Sequence, residues 1–323
     1  NADMAMQIAR ELHRAMDEQL EIAEFEPVYV QASIGICVCP PHQGTASDLI
    51  RNAELAMFEA KRAGRNAIRF FTLAMGETAV LRLAIETRLR RALAEHEFVL
   101  HYQPLWGLSG DSLVGVEALV RLNQPTLPPL GPAEFIPVLE DIGQIEALGD
   151  WVTREACSQA GRWLNAGWDF GVMAINLSPV EVARHPVEQR IKAALEESGI
   201  APERIELEIT ESGLMEQGER AEDFLKSLHA LGVRIAIDDF GTGYSSLAYL
   251  RRFPVNKLKI DRSFISALTT DERNARLVDS MLQLGRSLGI EVLAEGVETP
   301  EQADYLREHG CETIQGYYIS PPL

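Results

Sequence analysis

From Glu95 onward the chain alternates between two hydrophobic periods. Short runs rich in Val and Ile, the composition of buried strands, stand at FVLHYQP (98–104), LVGVEALVR (113–121), FGVMAINLS (170–178), RIELEIT (204–210), VRIAIDDF (233–240), KLKI (257–260), IEVLAEG (290–296) and ETIQGYY (312–318). Between most of them lie amphipathic stretches: AEFIPVLEDIG, IEALGDWVTREACSQAGRWLNAG, VEQRIKAALEESG, ERAEDFLKSLHALG, ARLVDSMLQLGRSLG and PEQADYLREHG. They run up to glycine, the residue favoured just past a helix C-terminus. Strand and helix repeated to eight predict an α/β fold, a closed (β/α)8 TIM-like barrel. The connection WGLSGDS between the first two strands has hairpin length, so these two are expected to be antiparallel.

Residues 1–71 follow another pattern, a helix, then VYVQASIGICVCP as a strand, then DLIRNAELAMFEAKRAGRNAIRFF as a helix running into a second strand. This reads as an incomplete α+β unit. The segment 72–93, TLAMGETAVLRLAIETRLRRAL, has helical spacing and reads as a linking helix. A length of 323 residues suits a large barrel with a smaller companion. The chain has no start signal and no run of about 20 apolar residues. A cytoplasmic fragment of a longer, sensor-like protein is expected, with no membrane contact of its own. A formal net charge of −18 argues against DNA or RNA as partner. The cysteines at 37, 39, 157 and 311 lack metal-binding spacing and read as reduced thiols.

In an α/β barrel the strand C-termini form the active mouth. The second strand carries Glu117 and Arg121 on one face, the third ends in Asn176, and the fourth holds Glu208 and then Glu211. The fifth delivers Asp238 and Asp239, the sixth Lys259 and Asp261, the seventh Glu295 with Glu298 after it, and the eighth Gln315. Carboxylates and an amide carbonyl without His or Cys form a hard-oxygen set suited to two Mg²⁺ or Mn²⁺ ions rather than zinc. Such a pair activates water for phosphoester hydrolysis. Arg121 supplies a planar fork for phosphate, and Lys259 a charge that could aid deprotonation if burial and metals lower its pKa.

The motifs HYQP, EALVR, NLSP, ELEITES, DDFGTGYSSL, KIDRSFI, AEGVET and QGYYISPP, in this order, resemble the EAL family of cyclic di-GMP phosphodiesterases over residues 84–323. The resemblance implies hydrolysis of cyclic di-GMP to linear pGpG, the alternative being a noncatalytic receptor for the dinucleotide. It implies that Glu117, Asn176, Glu208, Asp238 and Asp239 hold the metals and that Lys259 and Glu295, with Glu117, serve catalysis. Gln103, Leu119, Arg121, Asp261 and Gln315 would line the substrate groove, while Glu211 and Glu298 anchor loops, Glu211 holding the loop 240–246 near a homodimer contact. Ca²⁺ is expected to inhibit, its looser geometry fitting the pair poorly. One departure is Leu122, where the family usually has Trp. ASIGIC and AELAMFEAKRAGRN resemble the C-terminal part of a GGDEF (diguanylate cyclase) domain, in which Lys61 and Arg65 would contact nucleotide phosphate. The signature hairpin of that family is not among these residues, so no cyclase activity is expected.

Overall fold

The computed structural model describes residues 2–16, 30–38, 45–64, 66–124, 128–184, 187–218, 220–243, 250 and 252–323. The chain divides into two compact units, Asn1–Arg88 and Leu89–Leu323. No helix among the described residues is long and apolar enough to cross a membrane.

In the first unit, α1 (Ala2–Met16) precedes β1 (Ile34–Ile36), α2 (Ala46–Arg62) and β2 (Ile68–Phe70), and the two strands pair in parallel with Ile34 opposite Ile68. Thr45 and Asp48 close a capping box at the start of α2. The helix lies so close on β1 that a Cβ on Gly35 would stand 2.0 Å from the Ala53 carbonyl oxygen, which accounts for the glycine in ASIGIC. Helix α3 (Leu73–Ala94) contains the boundary between the units. Lys61 is exposed near the end of α2, whereas Arg65 and Cys39 lie outside the described residues.

The second unit is a closed eight-stranded barrel. In chain order its strands are β3 (Phe98–Gly107), β4 (Ser112–Leu122), β5 (Val172–Leu177), β6 (Ile205–Thr210), β7 (Arg234–Phe240), β8 (Lys257–Ile260), β9 (Glu291–Ala294) and β10 (Thr313–Ile314). The closed order is β10-β3-β4-β5-β6-β7-β8-β9. β3 runs antiparallel to both of its neighbours, as the hairpin-length connection predicts, and the remaining pairs are parallel. The helices α4 (Pro132–Asp141), α5 (Ile145–Asn165), α7 (Val187–Ser198), α9 (Arg220–Ala230), α11 (Glu272–Leu288) and α12 (Pro300–Glu308) match the amphipathic stretches. Among the described residues, three short helices follow strand ends and were not legible from periodicity: α6 (Pro179–Arg184), α8 (Glu211–Glu216) and α10 (Arg262–Ser266).

The period of two along each strand sorts the interior into levels. Toward the strand N-termini, buried Glu206 accepts from Lys257 Nζ at 2.5 Å and from Arg234 Nε at 3.1 Å. Arg234 also reaches Glu291 at 2.8 Å, and Thr313 Oγ1 donates to Glu291 at 3.0 Å. Two carboxylates thus face two cations, a balanced set in which each buried charge has a partner. Leu105, Ala174 and Leu293 form a small apolar cluster of fully buried side chains. Two residues further along β6 and β8 stand Glu208 and Lys259, and there the balance ends.

Candidate active site

Lys259 is fully buried, and its Nζ lies 2.6 Å from Glu208 Oε2, 2.7 Å from Glu295 Oε1, 3.3 Å from Asp238 Oδ1 and 3.9 Å from Glu117 Oε1. Four strands other than its own supply these carboxylates or the turn that carries them. Burial alone would lower the pKa of Lys259, but Asp238, Glu117, Glu208 and Glu295 outweigh it and hold the group well above its usual range. In the protein alone this side chain is a fixed ammonium. The lowered pKa considered from the sequence is corrected to this extent.

Two adjacent residues of a strand point to opposite faces, so Asp238 and Asp239 should not serve one mouth. They do because Asp239 adopts a left-handed conformation, φ 54°, where the pairing of β7 with β8 shifts register between Ile237 and Phe240. Asp239 N–H donates to Asp238 Oδ1 at 2.9 Å. Oxygens of Asp238, Asp239 and Glu295 come within 4.8 Å of one another, the spacing of ligands around one cation. Burial, then Asp238 and Asp261, raise the pKa of Asp239.

Glu117 accepts from Asn176 Nδ2 at 2.6 Å and Gln315 Nε2 at 2.5 Å. Burial pushes its pKa up, but Lys259 and these amides overcome that and hold it below the usual value. Glu208 behaves oppposite to it: burial raises its pKa well above the ordinary carboxylate range, with Glu117 and Asp238 adding to the effect. Its buried Oε1 has no hydrogen-bond partner among the described residues. A proton on the carboxyl, a bound cation or a water donor would satisfy such an oxygen. Burial likewise raises Glu295 to about 8 despite Lys259.

The donor chemistry fits a divalent metal. Among the described residues five carboxylates face one ammonium, every donor is oxygen, and two buried oxygens, Glu208 Oε1 and Gln315 Oε1, lack a hydrogen-bond partner. Protons held by Glu208 and Glu295 must leave when a cation binds. Metal uptake is therefore expected to release protons and to tighten as pH rises toward about 8. In chelator, Glu295 favours the folded state below its unfolded value of 4.5 and loses that contribution as pH rises through about 8. Thermal unfolding across this window should show falling stability in chelator and a flatter profile with Mg²⁺. An unchanged slope in Glu295→Gln would assign the effect elsewhere.

The remaining predicted residues separate into two groups. Leu119 and Arg121 line a cavity of about 420 Å³ together with Glu117, Asn176, Asp238 and Glu295. Arg121 donates only to the Val120 carbonyl at 2.8 Å and forms no ion pair among the described residues. Gln103 and Gln315 are turned on each other: Gln315 Nε2 donates to Gln103 Oε1 at 3.0 Å, and Gln103 Nε2 donates to the Ser320 carbonyl at 3.0 Å. They brace Glu117 from behind. Asp261 caps α10 through Ser263 N–H at 3.0 Å. Glu211 accepts from Gly241 N–H at 2.9 Å, tying down the start of the loop 240–246, of which 244–246 lie outside the described residues. Glu298 is exposed, and its backbone N–H donates to the side chain of Gln302 at 2.8 Å. Sequence reasoning missed Glu140, Ser178 and Glu181, which line the far end of the same cavity. The signal available was S-x-x-E at 178–181, a capping-box pattern.

The sequence matches the EAL domain family over residues 86–322 and the diguanylate cyclase, GGDEF domain family over residues 1–67. The chain belongs to the EAL domain family. It is 44% identical over 292 residues to an uncharacterized signaling protein of Caulobacter vibrioides, covering 90% of this chain and 36% of that protein. It is 39% identical over 319 residues to MucR of Pseudomonas aeruginosa, a bifunctional diguanylate cyclase/cyclic di-GMP phosphodiesterase, covering 99% of this chain and 46% of MucR. The solved phosphodiesterase of MucR in complex with c-di-GMP superposes with a TM-score of 0.72 at 40% identity, covering 74% of this chain and 97% of that one. The chain spans less than half the length of these two curated relatives.

Proposed function

We propose that the barrel is a divalent-cation-dependent phosphodiesterase that hydrolyses cyclic di-GMP to linear pGpG. The observation that carries this reading is the buried Lys259 ringed by four carboxylates beneath a cavity that presents Arg121. The names of relatives such as MucR support the choice of substrate. Glu117, Asn176, Glu208, Asp238 and Asp239 would hold two Mg²⁺ or Mn²⁺ ions. Once bound, the ions supply an activated water and neutralise the charge that builds on the phosphate oxygens.

Arg121 binds a phosphate oxygen at the rim and orients the ester for in-line displacement. Lys259 stays charged, fixing Glu208, Glu295 and Asp238 around it. Glu295, which burial raises to about 8, is placed to take a proton from the attacking water. Gln103 and Gln315 keep Glu117 oriented. Glu211 holds Gly241 and so the turn that carries Asp239. We assign residues 1–71 to a partial GGDEF domain, 72–93 to a linking helix and 84–323 to the EAL domain, with a homodimer through the latter.

Incubating the protein with cyclic di-GMP in ¹⁸O-water and Mg²⁺ should give pGpG with one ¹⁸O in its new terminal phosphate. Chelator should stop the reaction, and Mg²⁺ or Mn²⁺ restore it. Ca²⁺ should inhibit. Turnover that persists in chelator, or a product other than the linear dinucleotide, would refute the reading.

A further inference from the structure

Behind the far wall of the cavity lies an ion pair that the proposed chemistry does not use. Glu181 is 3% exposed, and its Oε1 stands 2.7 Å from Nη1 of Arg190 on the next helix, α7. The distance is short but the alignment poor: Glu181 Oε1 and Arg190 Nε and Nη2 are buried without a hydrogen-bond partner among the described residues. A Cβ on Gly149 of α5 would meet Glu181 Oε1 at 1.9 Å, so only glycine leaves the carboxylate its place.

The other oxygen of Glu181 accepts from Ser178 N–H at 3.0 Å. Ser178 Oγ accepts from Val180 N–H at 3.1 Å and donates to Glu140 Oε1 of α4 at 2.5 Å. Taken locally, the Glu181 side chain accepting from Ser178 N–H is one half of a capping box, the Ser178 hydroxyl accepting from Val180 N–H instead of Glu181 N–H. Here the glutamate is sealed between helices against an arginine, at a desolvation cost that capping alone would not require. The same three residues, Glu140, Ser178 and Glu181, line the cavity that also holds Glu117 and Arg121, and Ser178 lies two residues past Asn176.

We infer that Glu181, held by Arg190, is a positioning residue for substrate: through the Ser178 N–H it fixes the turn after β5, and with Glu140 it sets the wall against which one end of the dinucleotide seats. The inference rests on the functional reading above. It assigns the pair to substrate binding and not to the chemical step.

Two double variants separate positioning from stability. Glu181→Leu with Arg190→Met replaces the pair by apolar side chains, which keeps or raises stability, but removes the acceptor for Ser178 N–H. Glu181→Gln with Arg190→Met also removes the charges but keeps an acceptor. The first is expected to unfold at or near the wild-type temperature with KM for cyclic di-GMP raised about tenfold and kcat within about threefold. The second should keep KM within about threefold of wild type. Wild-type KM in the Leu/Met protein, or equal impairment of both, overturns the inference alone. If the Leu/Met protein fails to fold, Gly149→Ala, which displaces Glu181 without removing a charge, must raise KM. An unchanged KM there is equally fatal. A wild-type protein that neither binds nor cleaves cyclic di-GMP overturns the functional reading together with the inference.

Discussion

Lys259→Met protein is expected to be destabilised by about 3–5 kcal/mol in chelator, the loss typical of removing one partner from a buried ion pair. Methionine matches the length of lysine, so packing changes little and the effect is one of charge. Glu208, Glu295 and Asp238 lose the ammonium that lies 2.6, 2.7 and 3.3 Å away. They are left to repel one another in a largely buried site at the base of the cavity. The sign with pH follows. Acid protonates the carboxylates and relieves the repulsion, so the deficit shrinks as pH falls and grows as pH rises. Saturating Mg²⁺ or Mn²⁺ should recover part of the loss by replacing the missing positive charge. Denaturant unfolding at two pH values, with and without cation, tests each limb. A variant as stable as wild type in chelator at high pH would show that Lys259 does not neutralise the ring.

Glu117→Gln should lower turnover by about 10³-fold, equivalent to about 4 kcal/mol of transition-state stabilisation. Glutamine has nearly the same shape, so circular dichroism and unfolding temperature should stay close to wild type. The loss comes from charge: Glu117 is the carboxylate held ionised by Lys259, Gln315 and Asn176 despite its burial. As a proposed metal ligand it should also raise the cation concentration needed for half-maximal activity. Glu295→Gln should match it in lost turnover but shift that requirement by a smaller factor, chiefly by removing its pH dependence up to about 8. Near-normal rates in either variant would remove the residue from the mechanism. An identical shift in cation requirement for both would merge their roles.

The barrel was legible because its strands are short β-branched runs separated by helices that end on glycine, a pattern fixed by periods of two and 3.6. The reversed first strand was legible from the shortness of WGLSGDS. The short helices α6, α8 and α10 were not, since five or six residues make too little of a period. Only their caps, Thr210 with Gly213 N–H and Asp261 with Ser263 N–H, carry a signal. That the carboxylates meet at one rim followed from their positions near strand ends. How Asp238 and Asp239 share it did not, because the left-handed turn at Asp239 is invisible to a pattern of polar and apolar residues. The lower level was visible in principle: Glu206 and Lys257 stand two residues before Glu208 and Lys259, hence on the same inward face. Gln103 and Gln315 were read as lining the substrate groove; their burial and pairing with each other are a matter of side-chain rotation that spacing does not determine.

Because β3 is reversed, its first residue, Phe98, pairs with Leu122 at the outlet end of β4, and Val99 pairs with Arg121. In a wholly parallel barrel the incoming polypeptide would enter through the floor, a full strand length from the chemistry. Here it comes in over the lip. The end of α3, Leu89–Ala94, thus leads into a strand whose second residue stands one rung of the ladder from Arg121, with no other strand of the cylinder between them.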